Sequence, residues 1–243
     1  MKVLLGDGCG NRFALIDAGA MAASELSPGL VLHQCRDMDI DGLLVLDGVK
    51  LSIYNADGSD GDACFNGLRL AAVASDLDEG VFEMAGHQIS WSKVDGDIEL
   101  ELPYVPSDFE YDSITIDGVE VVTVNFSNPH AIVKNYSGYE QEFAEKLQSD
   151  SENFPQSVNV EFAKFPYENG EISARIFERG VGETLACGTG AVALAADAWN
   201  AGFEGEITVK TWGGSLFLSK LENGQISLRG AARLTGNIDL ELV

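Results

Sequence analysis

Basic residues are scarce: 15 Lys and Arg stand against 39 Asp and Glu in 243 residues, a formal charge of −24. A field of that sign repels phosphate backbones and anionic lipid, which argues against nucleic acid and membrane surfaces as partners. The acidity reads first as solubility, with a saline habitat as a further reading. Long apolar runs are missing too. Met1 to Gly10 reaches Asp7 after three consecutive apolar residues, too few for the apolar core of a secretory signal. Leu185 to Ala196, the longest apolar-leaning segment, is interrupted by Gly and Thr and falls short of the ~20 residues of a membrane helix. The expectation is a cytoplasmic protein, in which the Asn-x-Ser sequons at Asn125 and Asn135 go unmodified.

Cysteine is sparse and irregularly placed. Cys9, Cys35, Cys64 and Cys187 lie 26, 29 and 123 residues apart, which fits no zinc or Cys-x-x-Cys pattern and predicts free thiols in a reducing compartment. No metal cluster, Gly-rich phosphate loop or lysine in a Schiff-base context is present, so no cofactor and no metal is expected. What remains is an ordinary globular composition, 45% hydrophobic and 22% charged, long enough to bury a sizeable core.

An internal repeat organises the chain. Placing Cys64 on Cys187 aligns Ile53 with Ile176, Tyr54 with Phe177, Ala63 with Ala186, Gly67 with Gly190 and Ala72 with Ala195. An offset of 117 pairs Asn11 with Asn128, Ala14 with Ala131, Leu15 with Ile132 and Ile16 with Val133. A third echo, at offset 127, pairs Gly86 with Gly213, Ile89 with Leu216 and Ser92-Lys93 with Ser219-Lys220. Three matches in one order, at a period far beyond solenoid repeats, predict two similar half-domains. These are expected over 1–110 and 111–235, with a C-terminal strand over 236–243 returning to the first.

Short apolar runs bounded by Gly, Asn or Asp predict strands at Phe13–Asp17, Gly42–Leu46, Leu51–Tyr54, Val119–Phe126 and Ala131–Val133. Leu68–Leu77 and Ala191–Ala201 are apolar nearly all round and predict one enclosed helix per half. Hairpins are expected for Gln88–Val94 with Ile98–Leu102 about Asp95-Gly96, and for Leu216–Leu221 with Gln225–Leu228 about Asn223-Gly224. Glu140–Leu147 reads as a surface helix.

Cys64 and Cys187 each fall at the start of an enclosed helix, where unpaired N–H groups favour a thiolate and can bind a carboxylate. That combination suits proton abstraction beside a carboxylate. Two thiols on opposite faces of one carbon could remove a proton from one side and deliver one from the other, as inversion of a stereocentre requires.

The run Glu178-Arg179-Gly180-Val181-Gly182-Glu183-Thr184-Leu185-Ala186-Cys187-Gly188-Thr189-Gly190 resembles the signature of diaminopimelate epimerases. Asn128-Pro129-His130-Ala131, Asn159-Val160-Glu161-Phe162, Gly10-Asn11 with Phe13, and Asn55-Ala56-Asp57-Gly58-Ser59 ahead of Cys64 resemble further motifs of that family. The resemblance implies an α+β fold of two pseudo-symmetric half-domains. Each would be a mostly antiparallel or mixed sheet wrapped around a central helix, with the active site in the cleft between them. It implies a cofactor-independent isomerase, free of pyridoxal phosphate, converting LL- to meso-diaminopimelate for lysine and cell-wall precursor biosynthesis. Cys64 and Cys187 would be the catalytic pair, tuned by His130 and Glu178. The backbone N–H groups of Phe65 and Gly188, with Asn66 and Thr189, would hold the reacting carboxylate. Asn55, Asn128, Asn159 and Arg179 would grip the distal group, with Asn11 alongside. The partner implied is a small-molecule amino acid; a homodimer is an open alternative to a monomer.

The first half departs from the family pattern. Cys64-Phe65-Asn66-Gly67-Leu68-Arg69-Leu70 stands where Cys-Gly-Asn-Gly-x-Arg-Cys is usual, and a side chain after the thiol is expected to narrow the pocket. Cys35 to Leu44 keeps only Asp41-Gly42-Leu43-Leu44 of the family's run, and Arg12 replaces an acidic residue. Two alternatives stay open at this stage: a racemase of another amino acid on the same scaffold, and a non-catalytic thiol redox or binding protein. Nothing assigns a function to His33, His87, Cys9 or Cys35, and His87 is expected at a hairpin turn.

Overall fold

The computed structural model describes residues 2–17, 33, 38, 40–56, 58–61, 63–164 and 169–239. Cys35 and Asp57, with residues 36, 37 and 39 of the 35–44 segment, lie outside them. The chain divides into two compact units, Met1–Pro103 with Arg229–Val243, and Tyr104–Leu228.

In the first unit, β1 (Lys2–Gly8), β2 (Asn11–Asp17), β3 (Gly42–Asp47), β4 (Lys50–Asn55), β5 (Glu79–Met84), β6 (His87–Val94) and β7 (Asp97–Leu102) follow in spatial order. The C-terminal strand β17 (Ala232–Asp239) pairs antiparallel with β1 at the other edge. The β2–β3 and β4–β5 contacts are parallel and the rest antiparallel. The sheet packs around helix α1 (Phe65–Ala74), which touches β1, β2, β5, β6, β7 and β17.

The second unit repeats that plan. Its strands are β8 (Glu110–Ile116), β9 (Val119–Asn125), β10 (Pro129–Lys134), β11 (Asn159–Lys164), β12 (Glu171–Glu178), β13 (Gly182–Thr184), β14 (Ile207–Thr211), β15 (Gly214–Lys220) and the start of β16 (Ile226–Gly230). The β10–β11 and β12–β14 contacts are parallel, flanked by antiparallel pairs, as β2–β3 and β4–β5 are in the first unit. Helix α2 (Glu140–Ser149) lies on β11, in the crossover between β10 and β11. Helix α3 (Gly188–Asn200) takes the enclosed position, touching β9, β10, β11, β14 and β15.

Sequence periodicity accounts for most of this. β2, β3, β10 and β11 are buried over four or five consecutive residues, as befits interior strands, whereas β8 at an edge alternates. Asp95-Gly96 has φ of 51° and 90°, the left-handed pair that a two-residue hairpin turn needs. The turn at Asn223-Gly224 is closed by Leu221 N–H donating to Gln225 C=O at 2.8 Å. His87 follows directly on the β5–β6 turn, paired with Met84.

Both enclosed helices start earlier than their apolar runs suggest: α1 covers 65–74 rather than 68–77, and α3 covers 188–200 rather than 191–201. The cause is polar. The first turn of each is Phe-Asn-Gly or Gly-Thr-Gly, capped by the preceding cysteine, and hydropathy does not register such a cap. At the other end, Leu77 is 62% exposed and lies beyond the last turn of α1.

Candidate active site

Each enclosed helix is capped by a thiol. Cys64 has φ −125° and ψ 90°, and its Sγ accepts from Gly67 N–H at 3.4 Å. Cys187 has φ −127° and ψ 122°, and its Sγ accepts from Gly190 N–H at 3.4 Å. The sulfur thus stands where a Ser or Asp oxygen usually caps a helix. It faces the positive end of the helix, beside N–H groups that an anion can use. The glycines at the third helical position fit tightly. A Cβ on Gly67 would lie 2.7 Å from Leu44 Cδ2, and one on Gly190 would lie 2.7 Å from Glu161 Oε1.

Around Cys187 the second unit gathers three polar side chains, Thr189, Glu178 and Thr184. Its sulfur lies 3.3 Å from Thr189 Oγ1. Glu178, at the end of β12, accepts from Thr184 Oγ1 at 2.7 Å and from the Cys187 thiol. Burial raises the Glu178 pKa, against the stabilising bonds from Thr184 and Cys187. Burial, and then the negative charge of Glu178, push the Cys187 pKa well above the usual thiol value. Cys187 is therefore held as a thiol.

Behind these groups lies a buried imidazole–carboxylate contact whose carboxylate, Glu161, was not among the residues expected from the sequence. His130 Nδ1 and Glu161 Oε1 are 2.7 Å apart, both side chains are 0% exposed, and the imidazole stacks on Phe126. His130 Nε2 and Glu161 Oε2 are buried without hydrogen-bond partners among the described residues. Glu161 lies within the Asn159-Val160-Glu161-Phe162 motif, two residues from Asn159. The available signal was a carboxylate in an otherwise apolar strand, since Glu is almost never fully buried without a partner.

The distal-group candidates of this unit also come together. Arg179 N–H donates to Asn159 Oδ1 at 3.0 Å, and its Nη2 donates to Asn128 Oδ1 at 3.3 Å. Arg179 Nη1 donates to Gln156 C=O at 3.1 Å. Glu178 and Arg179 do not form a solvated surface pair: the carboxylate turns toward Cys187 and the guanidinium toward Asn128 and the Gln156 C=O. An open cleft of about 870 Å³ has Asn128 and Gln156 in its lining, together with Tyr111, Asn125 and Phe154.

In the first unit, Asn66 Nδ2 donates to Asn11 Oδ1 at 2.5 Å. Asn55 Nδ2 donates to Ser59 Oγ at 3.0 Å, bracing the loop that leads to Cys64. Cys64 is half-buried, and its own N–H contacts Met84 Sδ at 3.2 Å. Phe65 is 1% exposed, so its ring belongs to the enclosed part of α1 while its backbone begins the helix.

Comparison with known proteins places these features. The family model described as diaminopimelate epimerase matches residues 122–235. The diaminopimelate epimerase of Sphingopyxis alaskensis is 31% identical over 93% of this chain and 91% of its own. The chain belongs to the diaminopimelate epimerase family. A second relative, the diaminopimelate epimerase of Methanothrix thermoacetophila, is 32% identical over 87% of this chain and 86% of its own. Among solved structures, a Bacillus anthracis phenazine biosynthesis protein of the PhzF family superposes with a TM-score of 0.71 at 13% identity, covering 100% of this chain and 99% of that one. A hydroxyproline epimerase from Agrobacterium vitis gives 0.68 at 13% identity, covering 98% and 90%. Those likenesses establish a shared fold, in agreement with the mixed sheets and enclosed helices above. The protein is an isomerase, an amino-acid epimerase of the diaminopimelate epimerase family. Among the described residues no helix is long and apolar enough to cross a membrane.

Proposed function

We propose that the enzyme interconverts LL- and meso-diaminopimelate in the cytoplasm, supplying lysine and cell-wall precursor synthesis, with Cys64 and Cys187 as its acid and base. The observation that carries this reading is the matched pair of thiol caps. Two units of one topology each present a sulfur, bound at 3.4 Å by the N–H three residues on, at the start of the enclosed helix. Two equivalent acid–base groups, one to take the proton and one to return it, are what inversion at one carbon calls for, and a single-face proton shuttle has no use for the second.

The protonation states suggest a division of labour. Cys187, held as a thiol by burial and by Glu178, is the proton donor. Cys64, half-buried at the start of the other enclosed helix, takes the α-proton. The N–H groups of both helix starts hold the reacting carboxylate and stabilise the charge that develops as the proton leaves. Glu161 accepts His130 Nδ1–H at 2.7 Å and so holds the imidazole in one orientation. Asn128, Asn159 and Arg179 receive the distal amino acid group, and Arg179 can meet its carboxylate with parallel hydrogen bonds.

Chiral chromatography of LL-diaminopimelate incubated with the enzyme tests the substrate. The expected result is an equilibrium mixture with the meso form; unchanged LL material contradicts it. Phe65 supports one other reading, racemisation of a different amino acid, because the family usually has glycine at that position. A panel of L-amino acids separates the two, and faster turnover of a monocarboxylic substrate favours the second.

A further inference from the structure

Helix α1 carries a guanidinium that the reaction as outlined does not use. Arg69 is 0% exposed, and its Nε is without a hydrogen-bond partner among the described residues. Its N–H groups reach Phe65 C=O at 3.4 Å, Cys9 Sγ at 3.3 Å and Asn66 Oδ1 at 2.8 Å. Cys9 meets it at a cost: its φ is +50°, in the first position of the Cys9-Gly10 turn between β1 and β2. Its thiol donates onward to Ala231 C=O at 3.7 Å, so toward Arg69 the sulfur is an acceptor.

The consequence lies in the asparagines. Arginine has only donors, so the Asn66 atom that faces it is the carbonyl oxygen. The Asn66 amide group is then turned toward Asn11, and because an NH2 only donates, the Asn11 atom facing it is again the oxygen, at 2.5 Å. The chain of donors ends with Asn11 Nδ2 directed away from Asn66. An unrestrained asparagine can present either end to a ligand; this one is fixed as a donor.

We propose that Arg69 is a positioning residue for substrate specificity: acting through Asn66, it locks Asn11 with its NH2 outward, so that Asn11 receives a carboxylate of the substrate and not its ammonium group. The inference rests on the proposed diaminopimelate site, beside whose distal-group residues the family resemblance puts Asn11.

The test is steady-state kinetics with LL-diaminopimelate on three variants, with a melting curve for each. Asn11→Asp places a carboxylate where the donor stood, and its KM should rise about 100-fold or more. If Asn11 instead offered its oxygen to an ammonium group, the same change would leave KM unchanged or lower it. Arg69→Met, which keeps volume and loses the donors, should raise KM about tenfold, with a smaller change in kcat. Arg69→Lys should fall between Arg69→Met and wild type. An unchanged or lowered KM in Asn11→Asp, or a KM within twofold of wild type in a folded Arg69→Met, overturns the inference. Should Arg69→Met fail to fold, the sign of the Asn11→Asp effect decides alone. Failure of the wild-type enzyme to turn over diaminopimelate is a separate outcome that removes the substrate reading on which the inference stands.

Discussion

At the scale of single residues, burial and close neighbours raise the pKa of both Cys187 and Glu178. Cys187 shows this most directly, because its raised pKa ties stability to pH. Between the thiol's unfolded pKa and its higher folded value, the folded state binds more protons than the unfolded state, so stability falls as pH rises. The contribution is fully present below the unfolded pKa, roughly 8.5. Denaturant unfolding from pH 7 to 10 should therefore show a steeper loss in wild type than in Cys187→Ala, and equal slopes would count against the assignment. Glu161 offers a second test. Glu161→Met removes the acceptor for His130 Nδ1–H, so kcat should fall tenfold or more, part of the ~10²–10⁴ that positioned acid–base groups supply. KM should change little, Glu161→Gln should keep part of the rate, and imidazole nitrogen NMR signals should show mixed tautomers in the Met variant. A wild-type rate in Glu161→Met would make the pair purely structural.

At the scale of elements, the helix starts matter most, and they were only partly legible in the sequence. The apolar runs of α1 and α3 marked two enclosed helices and placed a cysteine ahead of each. The strand runs about Phe13, Leu43, Ile53, Val121 and Ile132 likewise became β2, β3, β4, β9 and β10, because β-branched and Leu-rich interior strands carry a strong hydropathy signal. Partner choice among buried polar groups carries no such signal. Nothing local says that Arg69 turns into the first unit toward Cys9, or that Asp197 on α3 takes Lys134 at 2.7 Å. The same holds for Glu161 and His130, which are 31 residues apart. The close packing at the third helical position gives a prediction for the element itself. Gly190→Ala drives a Cβ to 2.7 Å from Glu161 Oε1, a carboxylate that His130 pins in place. Loss of about 1–3 kcal/mol in denaturant unfolding is expected, with a fall in kcat, as overpacking of a filled site produces. A variant with wild-type stability and rate would show that the turn can yield.

At the scale of the whole molecule, two features stand out: a duplicated topology and a large negative charge. The duplication appeared in the sequence as three collinear echoes. The structure gives it a physical basis: parallel contacts β2–β3 and β4–β5 in the first unit match β10–β11 and β12–β14 in the second, each set around an enclosed helix. The strand that completes the first unit, β17, comes from the far end of the chain and occupies the edge that β8 fills in the second. The charge of −24 predicts a salt response. Like charges crowd together on folding, and raising ionic strength from 0.1 to 1 M shortens the screening length from about 10 to about 3 Å. The melting temperature should rise with NaCl over that range; a flat or falling curve would mean that the ion pairs on the surface outweigh the net repulsion.

The central claim, that two thiols in equivalent positions exchange the α-proton of diaminopimelate from opposite faces, meets its most direct test in D2O. Mass spectrometry of LL- and meso-diaminopimelate recovered after incubation should show one deuterium gained at the α-carbon with the wild-type enzyme. Net epimerisation should drop by roughly 10³-fold or more in either Cys64→Ala or Cys187→Ala. No deuterium from either isomer, or full epimerisation by an enzyme with only one of the two cysteines, would contradict it.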